Sequence, residues 1–140
     1  MESIKFYEGE YYLLSNFSAH RVIYQGEEYQ TAEHAYQVAK FEDTTVKNKI
    51  KNAPSAFLAR ELGQTKEGRF KNWEDYKLVA MKEIMKAKLL QHKDVREILK
   101  STGEAIIIKN HPNDYFWGAG ADGAGKNMMG IIWMELRMEI

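Results

Sequence analysis

The chain has 140 residues, a length that suits one domain with a single substantial core. Hydrophobic residues make up 44% and charged residues 29%, and 20 Lys and Arg balance 20 Asp and Glu, so no overall field steers the protein toward nucleic acid or an acidic membrane. The chain contains no Cys, which excludes disulfides, thiolate catalysis and Cys-ligated metals; with no signal pattern and no apolar run long enough for a bilayer, a cytoplasmic protein is expected.

In chain order, Ile4–Tyr7 and Val22–Tyr24 read as short strands, and Gln25-Gly26 before Glu27–Tyr29 reads as a hairpin turn. Leu13–Ser18 is apolar but broken by small polar residues and reads as a buried loop. Thr31 suits the cap of a helix over Ala32–Phe41. Ala35, Val38 and Ala39 are expected to face inward, with Glu33, Tyr36, Gln37 and Lys40 on another face.

A helix near Thr45–Lys51 follows. Pro54 suits a first helical position and Gly63 a helix stop. The polar stretch from Gln64 to Lys71 reads as a loop. Asn72 then caps a long helix from Trp73 to Leu90, with Tyr76, Val79, Ala80, Ile84, Ala87 and Leu90 as its expected core stripe. A short helix over Asp94–Leu99 precedes a β-branched strand at Ala105–Ile108. The last helix, Met128–Ile140, is apolar through Ile131, Ile132, Met134 and Leu136. The pattern predicts a mainly α (α+β) fold, one helical domain over 1–140 with a small antiparallel sheet.

Asn110–Gly120 and the Gly-rich run to Asn127 place an acid and aromatic residues ahead of the last helix. Glycines let backbone amides approach a ligand closely, and a helix N-terminus favours anions. This reads as a phosphate cradle beside Asp114, although the run fits neither the P-loop nor the dinucleotide pattern. Glu33, in the first turn of its helix, is either a dipole-stabilised surface acid or a general acid/base tuned by burial. Asp114 is either a turn residue or the second carboxylate of a hydrolytic site. Neither acid decides the question alone.

His34 and His111 are not in a two-His helical spacing and no carboxylate cluster joins them, so no metal is expected. His34 reads as a hydrogen-bonding helix residue. Trp73 and Trp117 lie at loop–helix boundaries, where an aromatic ring can stack on a base. Arg69 and Lys126 are candidate phosphate partners. Trp133 reads as core, or else as part of a dimer face; the oligomeric state stays open.

Several blocks occur together: Leu14-Ser15-Asn16-Phe17, Thr31 to Lys40, Trp73, Met81 to Leu89, Asn113 to Gly120, Gly125 to Gly130 and Met134 to Arg137. In this order, from Phe6 to Arg137, they resemble the NADAR (YbiA-like) family, whose characterised members are N-glycosidases. The resemblance implies a YbiA-like fold and hydrolysis of a C–N bond to ribose without a cofactor. It places catalytic roles on Glu33, Trp73 and Asp114, and substrate contacts on Asn16, Gln37, Lys40, Arg69, Trp117, Gly118 and Asn127. Lys109 departs from the commonest family pattern, in which an acidic residue follows the strand.

Two substrates fit this reading: a ribosylamino-pyrimidine phosphate of riboflavin synthesis, or ADP-ribose on a nucleobase such as guanine in DNA. For the second, Lys47, Lys49 and Lys51 form a small basic patch. The alternative is a non-catalytic module for ADP-ribose or a related nucleotide, which would not need both acids.

Overall fold

A computed structural model describes residues 2–140. Its helices and strands form two compact units: residues up to Ser15 together with His92–Ile140, and Asn16–Gln91.

In the first unit, β1 (Ser3–Phe6) pairs in parallel with β4 (Ile106–Lys109), Ser3 opposite Ile106 and Phe6 opposite Lys109. A 3-10 helix follows at Gly9–Leu14, and the unit is completed by α5 (Lys93–Ser101) and α6 (Met128–Met138). Phe6, Leu14, Leu99, Ile107, Met129, Trp133 and Leu136 are fully buried. The Trp133 indole N–H donates to the Leu14 carbonyl at 2.9 Å, so Trp133 belongs to the core and not to a dimer face. Ile131 is exposed although it belongs to the apolar run of the last helix. The apolar stripe of α6 runs instead through Met129, Ile132, Trp133 and Leu136, the three-to-four spacing of one helix face.

In the second unit, β2 (Val22–Tyr24) and β3 (Glu27–Tyr29) form the expected antiparallel hairpin. Its two-residue turn places both Gln25 and Gly26 at positive φ, 52° and 80°, as a right-twisted ribbon requires. The Gln91 side chain both donates to and accepts from Ile23 on the edge of β2. Four helices fill the rest: α1 (Ala32–Ala39), α2 (Thr44–Lys51), α3 (Ala56–Leu62) and α4 (Trp73–Gln91). Thr31, Asp43 and Ser55 each cap the helix that follows by accepting from a backbone N–H in its first turn. α3 begins one residue after Ser55, so Pro54 precedes the cap instead of opening the helix.

The core stripe of α4 differs from expectation. Val79 and Leu90 are 49% and 58% exposed, while Met81, Met85, Lys88 and Leu89 are buried beside Ala80 and Ile84. A lysine sits in that stripe: Lys88 is wholly buried and donates to Ser18 Oγ at 2.6 Å. Burying an ammonium is tolerable only with such a partner, and apolar patterning cannot foresee it. No helix among the described residues is long and apolar enough to cross a membrane.

Candidate active site

Every residue of α1 from Ala32 to Val38 is buried, although only one face of the helix is apolar. Glu33, Tyr36, Gln37 and Lys40 therefore turn a polar face inward, and such a face needs internal partners. The Glu33 N–H donates to the Asn16 carbonyl at 3.1 Å, which ties the Ser15-Asn16 bend to the first turn of α1. Gln37 Nε2, one turn on, donates to Glu33 Oε2 at 2.6 Å. The other carboxylate oxygen of Glu33 makes no hydrogen bond among the described residues.

Two buried side-chain acceptors of this unit lack donors. Asn16 Oδ1 and Gln37 Oε1 have no hydrogen-bond partner among the described residues, while the Asn16 amide nitrogen is turned toward Met81 Sδ at 3.3 Å. A buried acceptor without a donor costs about 1–3 kcal/mol.

Lys40 closes the α1 face. It is buried, its Nζ lies 3.4 Å from the Gly63 carbonyl and 5.5 Å from the Tyr36 ring centre. Desolvation, with the Arg69 charge adding to it, lowers its pKa to about 8. Arg69 Nη2 donates to the same Gly63 carbonyl at 2.9 Å, and its Nε to Thr65 O at 2.9 Å. The two cations thus meet at the C-terminal end of α3, where helix carbonyls favour positive charge. Neither forms a salt bridge among the described residues.

Gly63 joins these parts, which sequence reading saw only as a helix stop. Its φ of −76° suits any residue, so the glycine answers a question of space. A Cβ there would land on the Gln37 carboxamide oxygen. Gly63→Ala should therefore push Gln37 off Glu33, lowering kcat on the order of 10²-fold by misplacing the carboxylate. In a Gln37→Ala background the same change should cost little further, which a double-mutant cycle would measure.

Trp73 opens α4 and is 4% exposed. Its ring lies 5.4 Å from that of Tyr36 on α1 and 6.4 Å from that of Tyr76. His34 is fully buried between Thr31 Oγ1, 2.8 Å from Nδ1, and the Ala53 carbonyl, 2.9 Å from Nε2. A carbonyl can only accept, so Nε2 carries the proton and Nδ1 accepts from the Thr31 hydroxyl. His34 is a structural tie between α1 and the chain before α3.

Asp114, Trp117, Gly118 and Asn127 belong to the other unit. Asp114 Oδ1 accepts from the backbone N–H groups of Phe116 and Trp117 at 3.2 and 2.8 Å, and Oδ2 from Lys109 Nζ at 3.3 Å. Burial works to raise its pKa. The Lys109 ammonium and the two amides outweigh that and hold the carboxyl below its usual range. Trp117 meets Phe116 edge to face at 4.8 Å, half-buried.

Much of the glycine run folds upon itself. The amides of Ala119, Gly125, Lys126, Asn127, Met128 and Met129 all donate to carbonyls between Lys109 and Ala119. A Cβ at Gly118 would come within 2.8 Å of the Asp114 carbonyl, and one at Gly125 would strike the Gly118 carbonyl. The glycines let the loop fold tightly upon itself, and the N-terminus of α6 has no spare donors at those positions. Asn127 is engaged likewise: its φ is 53°, Oδ1 accepts from the Lys109 N–H, and Nδ2 donates to Ile107 O. It latches α6 to β4.

Lys109 carries a testable consequence. With Asp114 held below the ordinary carboxylate range, the stability it contributes is present above the unfolded value of 3.8 and is lost as pH falls through the lower folded value. Lys109→Met should remove the chief lowering charge, raise the Asp114 pKa and move the acid-unfolding midpoint to higher pH. Tryptophan fluorescence during acid titration reads the shift; an unmoved midpoint would show that the ion pair is not linked to folding.

Residues 5–140 match the model of the NADAR domain. The chain belongs to the NADAR family. N-glycosidase YbiA of Escherichia coli (strain K12) is 34% identical over 140 residues, covering 98% of this chain and 88% of that protein. An N-glycosidase of Nostoc punctiforme is 37% identical over 134 residues, 93% of this chain and 86% of the relative. A riboflavin biosynthesis protein of Vibrio vulnificus is 31% identical over 99% of this chain but only 39% of its own length. The NMR structure of Escherichia coli YbiA superposes with a TM-score of 0.90 at 34% identity, covering 99% of this chain and 84% of that one. The NADAR fold is therefore mainly helical with small two-stranded sheets.

Proposed function

We propose that this chain, an N-glycosidase by family, hydrolyses the C–N bond between ribose and a base in a phosphorylated substrate, using the buried polar face of α1. The observation that carries the reading is the set of partners around Glu33. Gln37 holds the Glu33 carboxylate, and in the same unit Asn16 Oδ1 and Gln37 Oε1 are buried acceptors without a donor among the described residues. A ribose supplies hydroxyl donors for those acceptors. The oxocarbenium character that develops as its C–N bond breaks is the positive charge a fixed carboxylate stabilises.

In this reading Glu33 faces the reacting carbon and activates water, and Lys40 and Arg69 hold phosphate as two cations without carboxylate partners. Trp73 sets the position of Tyr36 and so the aromatic side of the face. Asp114 is the second acid of the family pattern. Its lowered pKa keeps it ionised at neutral pH, which suits orientation or charge stabilisation and not proton donation to the leaving base. In this reading the enzyme is cytoplasmic.

Two substrates remain in competition: a ribosylamino-pyrimidine phosphate, and ADP-ribose on a nucleobase. Purified protein would be incubated with each, the second carried on guanine in DNA, and free base and sugar phosphate followed by chromatography. Release from one selects the substrate. Binding to either without release from both would overturn hydrolysis and favour a nucleotide-binding module.

A further inference from the structure

α3 runs beside α1 in the same direction. The chain before it meets the start of α1, where the Ala53 carbonyl accepts from His34 Nε2, and its last turn meets the end, where Gly63 abuts Gln37 and Lys40. Arg60 lies one turn before Gly63, on the same side of α3. Helical side chains lean toward the N-terminus of their own helix, and the Arg60 guanidinium lies 5.6 Å from the Phe17 ring centre. Phe17 follows Asn16, whose carbonyl accepts from the Glu33 N–H. We propose, on the reading of Glu33 as the group that faces the reacting carbon, that Arg60 is a specificity-determining residue that binds a phosphate carried by the leaving group.

The surroundings of Arg60 suit an oxyanion. Its guanidinium is shared between two rings, Phe17 at 5.6 Å and Phe57 of the same helix at 5.3 Å. Aromatic faces position a guanidinium and strip part of its water, while its N–H fork stays available to an oxygen ligand. Arg60 spends none of that fork: its side chain makes no hydrogen bond among the described residues. Its ion pair with the adjacent Glu61 spans 3.6 Å, and the Glu61 side chain is 50% exposed. That contact is too long for a hydrogen bond and is open to water, so it holds the guanidinium weakly. A phosphate taken by the fork in two parallel bonds is the stronger partner.

The order of groups along α1 sets which end of a substrate Arg60 meets. Lys40 and Arg69 stand at the C-terminal end of α1, and Glu33 lies in its first turn. From Glu33 to Lys40 the helix rises about 10 Å. A sugar phosphate anchored at Lys40, with its C–N bond at Glu33, therefore directs its base onward to Phe17 and Arg60. A base that belongs to a nucleotide brings its own phosphate to that place, and a free base brings none. ADP-ribose on guanine in DNA carries phosphate on both sides of the scissile bond, whereas the ribosylamino-pyrimidine phosphate carries it on the sugar side alone. Arg60 thus favours the first over the second.

Affinity is measured, so that the result does not hang on turnover. In a Glu33→Gln background, chosen to slow cleavage, calorimetry follows two ligands: a short oligonucleotide with ADP-ribose on guanine, and the ribosylamino-pyrimidine phosphate. Adding Arg60→Gln should weaken the oligonucleotide roughly ten- to hundred-fold and the pyrimidine phosphate far less. For the oligonucleotide it should also flatten the slope of log Kd against log salt by roughly one, which a merely structural role would not do. Arg60→Lys keeps the stem and charge but loses the fork. It should fall between the two, and it keeps the test open if a melting curve shows that Arg60→Gln does not fold. An unchanged oligonucleotide affinity, an equal loss for both ligands, or no binding of the oligonucleotide without the Arg60 change overturns the proposal. The expected dependence on Arg60 with no release of base by the wild type would overturn hydrolysis instead and leave the Arg60 contact standing.

Discussion

Glu33→Gln should lower the cleavage rate on the order of 10²–10⁴-fold while leaving the fold in place. The substitution keeps size and keeps an oxygen that can accept from Gln37, so the 2.6 Å contact that holds the side chain survives. What disappears is the negative charge, and a neutral amide neither activates water nor offsets a sugar cation. Unchanged turnover in a variant with a wild-type melting curve would remove Glu33 from the chemistry. Asp114→Asn serves as the companion: it keeps the acceptor for the Phe116 and Trp117 amides and loses the ion pair with Lys109. A full rate in that variant would leave Asp114 with the structural role of organising its turn.

Lys40→Met should have two opposite effects. Loss of a charge-assisted contact to phosphate should raise KM roughly ten- to hundred-fold. Stability should rise. The Lys40 pKa falls from 10.5 unfolded to about 8 folded, so the unfolded chain holds this proton more tightly. Native stability therefore climbs as pH rises between about 8 and 10.5 and is lowest, for this group, below about 8, where the buried ammonium is charged. Removing the charge should relieve about 1–3 kcal/mol at neutral pH, less what the contacts with Gly63 and Tyr36 contributed. In the wild type, KM should begin to rise as pH passes about 8 and Lys40 loses its charge. A melting temperature that falls in Lys40→Met, or a KM indifferent to pH across that value, would show that the lysine is structural. The combination expected here is the trade between function and stability that active sites impose.

Much of this architecture is legible in the sequence. Local signals place helices well: the Thr31 cap begins α1 at Ala32, and the Gln25-Gly26 turn pairs β2 with β3. The parallel pairing of β1 with β4 was not legible, because the partners lie far apart in sequence and no turn chemistry joins them. Which face of a helix is buried was only partly legible. The α4 stripe shifts toward Met81, Met85 and Leu89 because Lys88 turns inward to Ser18.

For the site, residue type suggested Glu33 and the family resemblance added Gln37 and Lys40, but neither showed that Gly63 would hold Gln37 in register by lacking a side chain. The glycine run was legible only in part for a related reason. Composition shows where amides are free to approach a ligand, and only the fold shows that carbonyls of the same loop already hold those of Ala119 and of Gly125 to Met129.

The placement of the three tryptophans has a practical result. Trp73 lies buried in the Asn16–Gln91 unit, while Trp133 is buried in the unit that includes His92–Ile140 and Trp117 is half-exposed there. Each unit thus contains its own intrinsic fluorophore in a dry environment. With Trp117 and either buried indole changed to Phe, the remaining emission reports the melting of one unit alone. Coincident transitions from the two variants, corrected for their own stability losses, would establish one cooperative folding unit; separated ones would show that the enzyme is assembled from two.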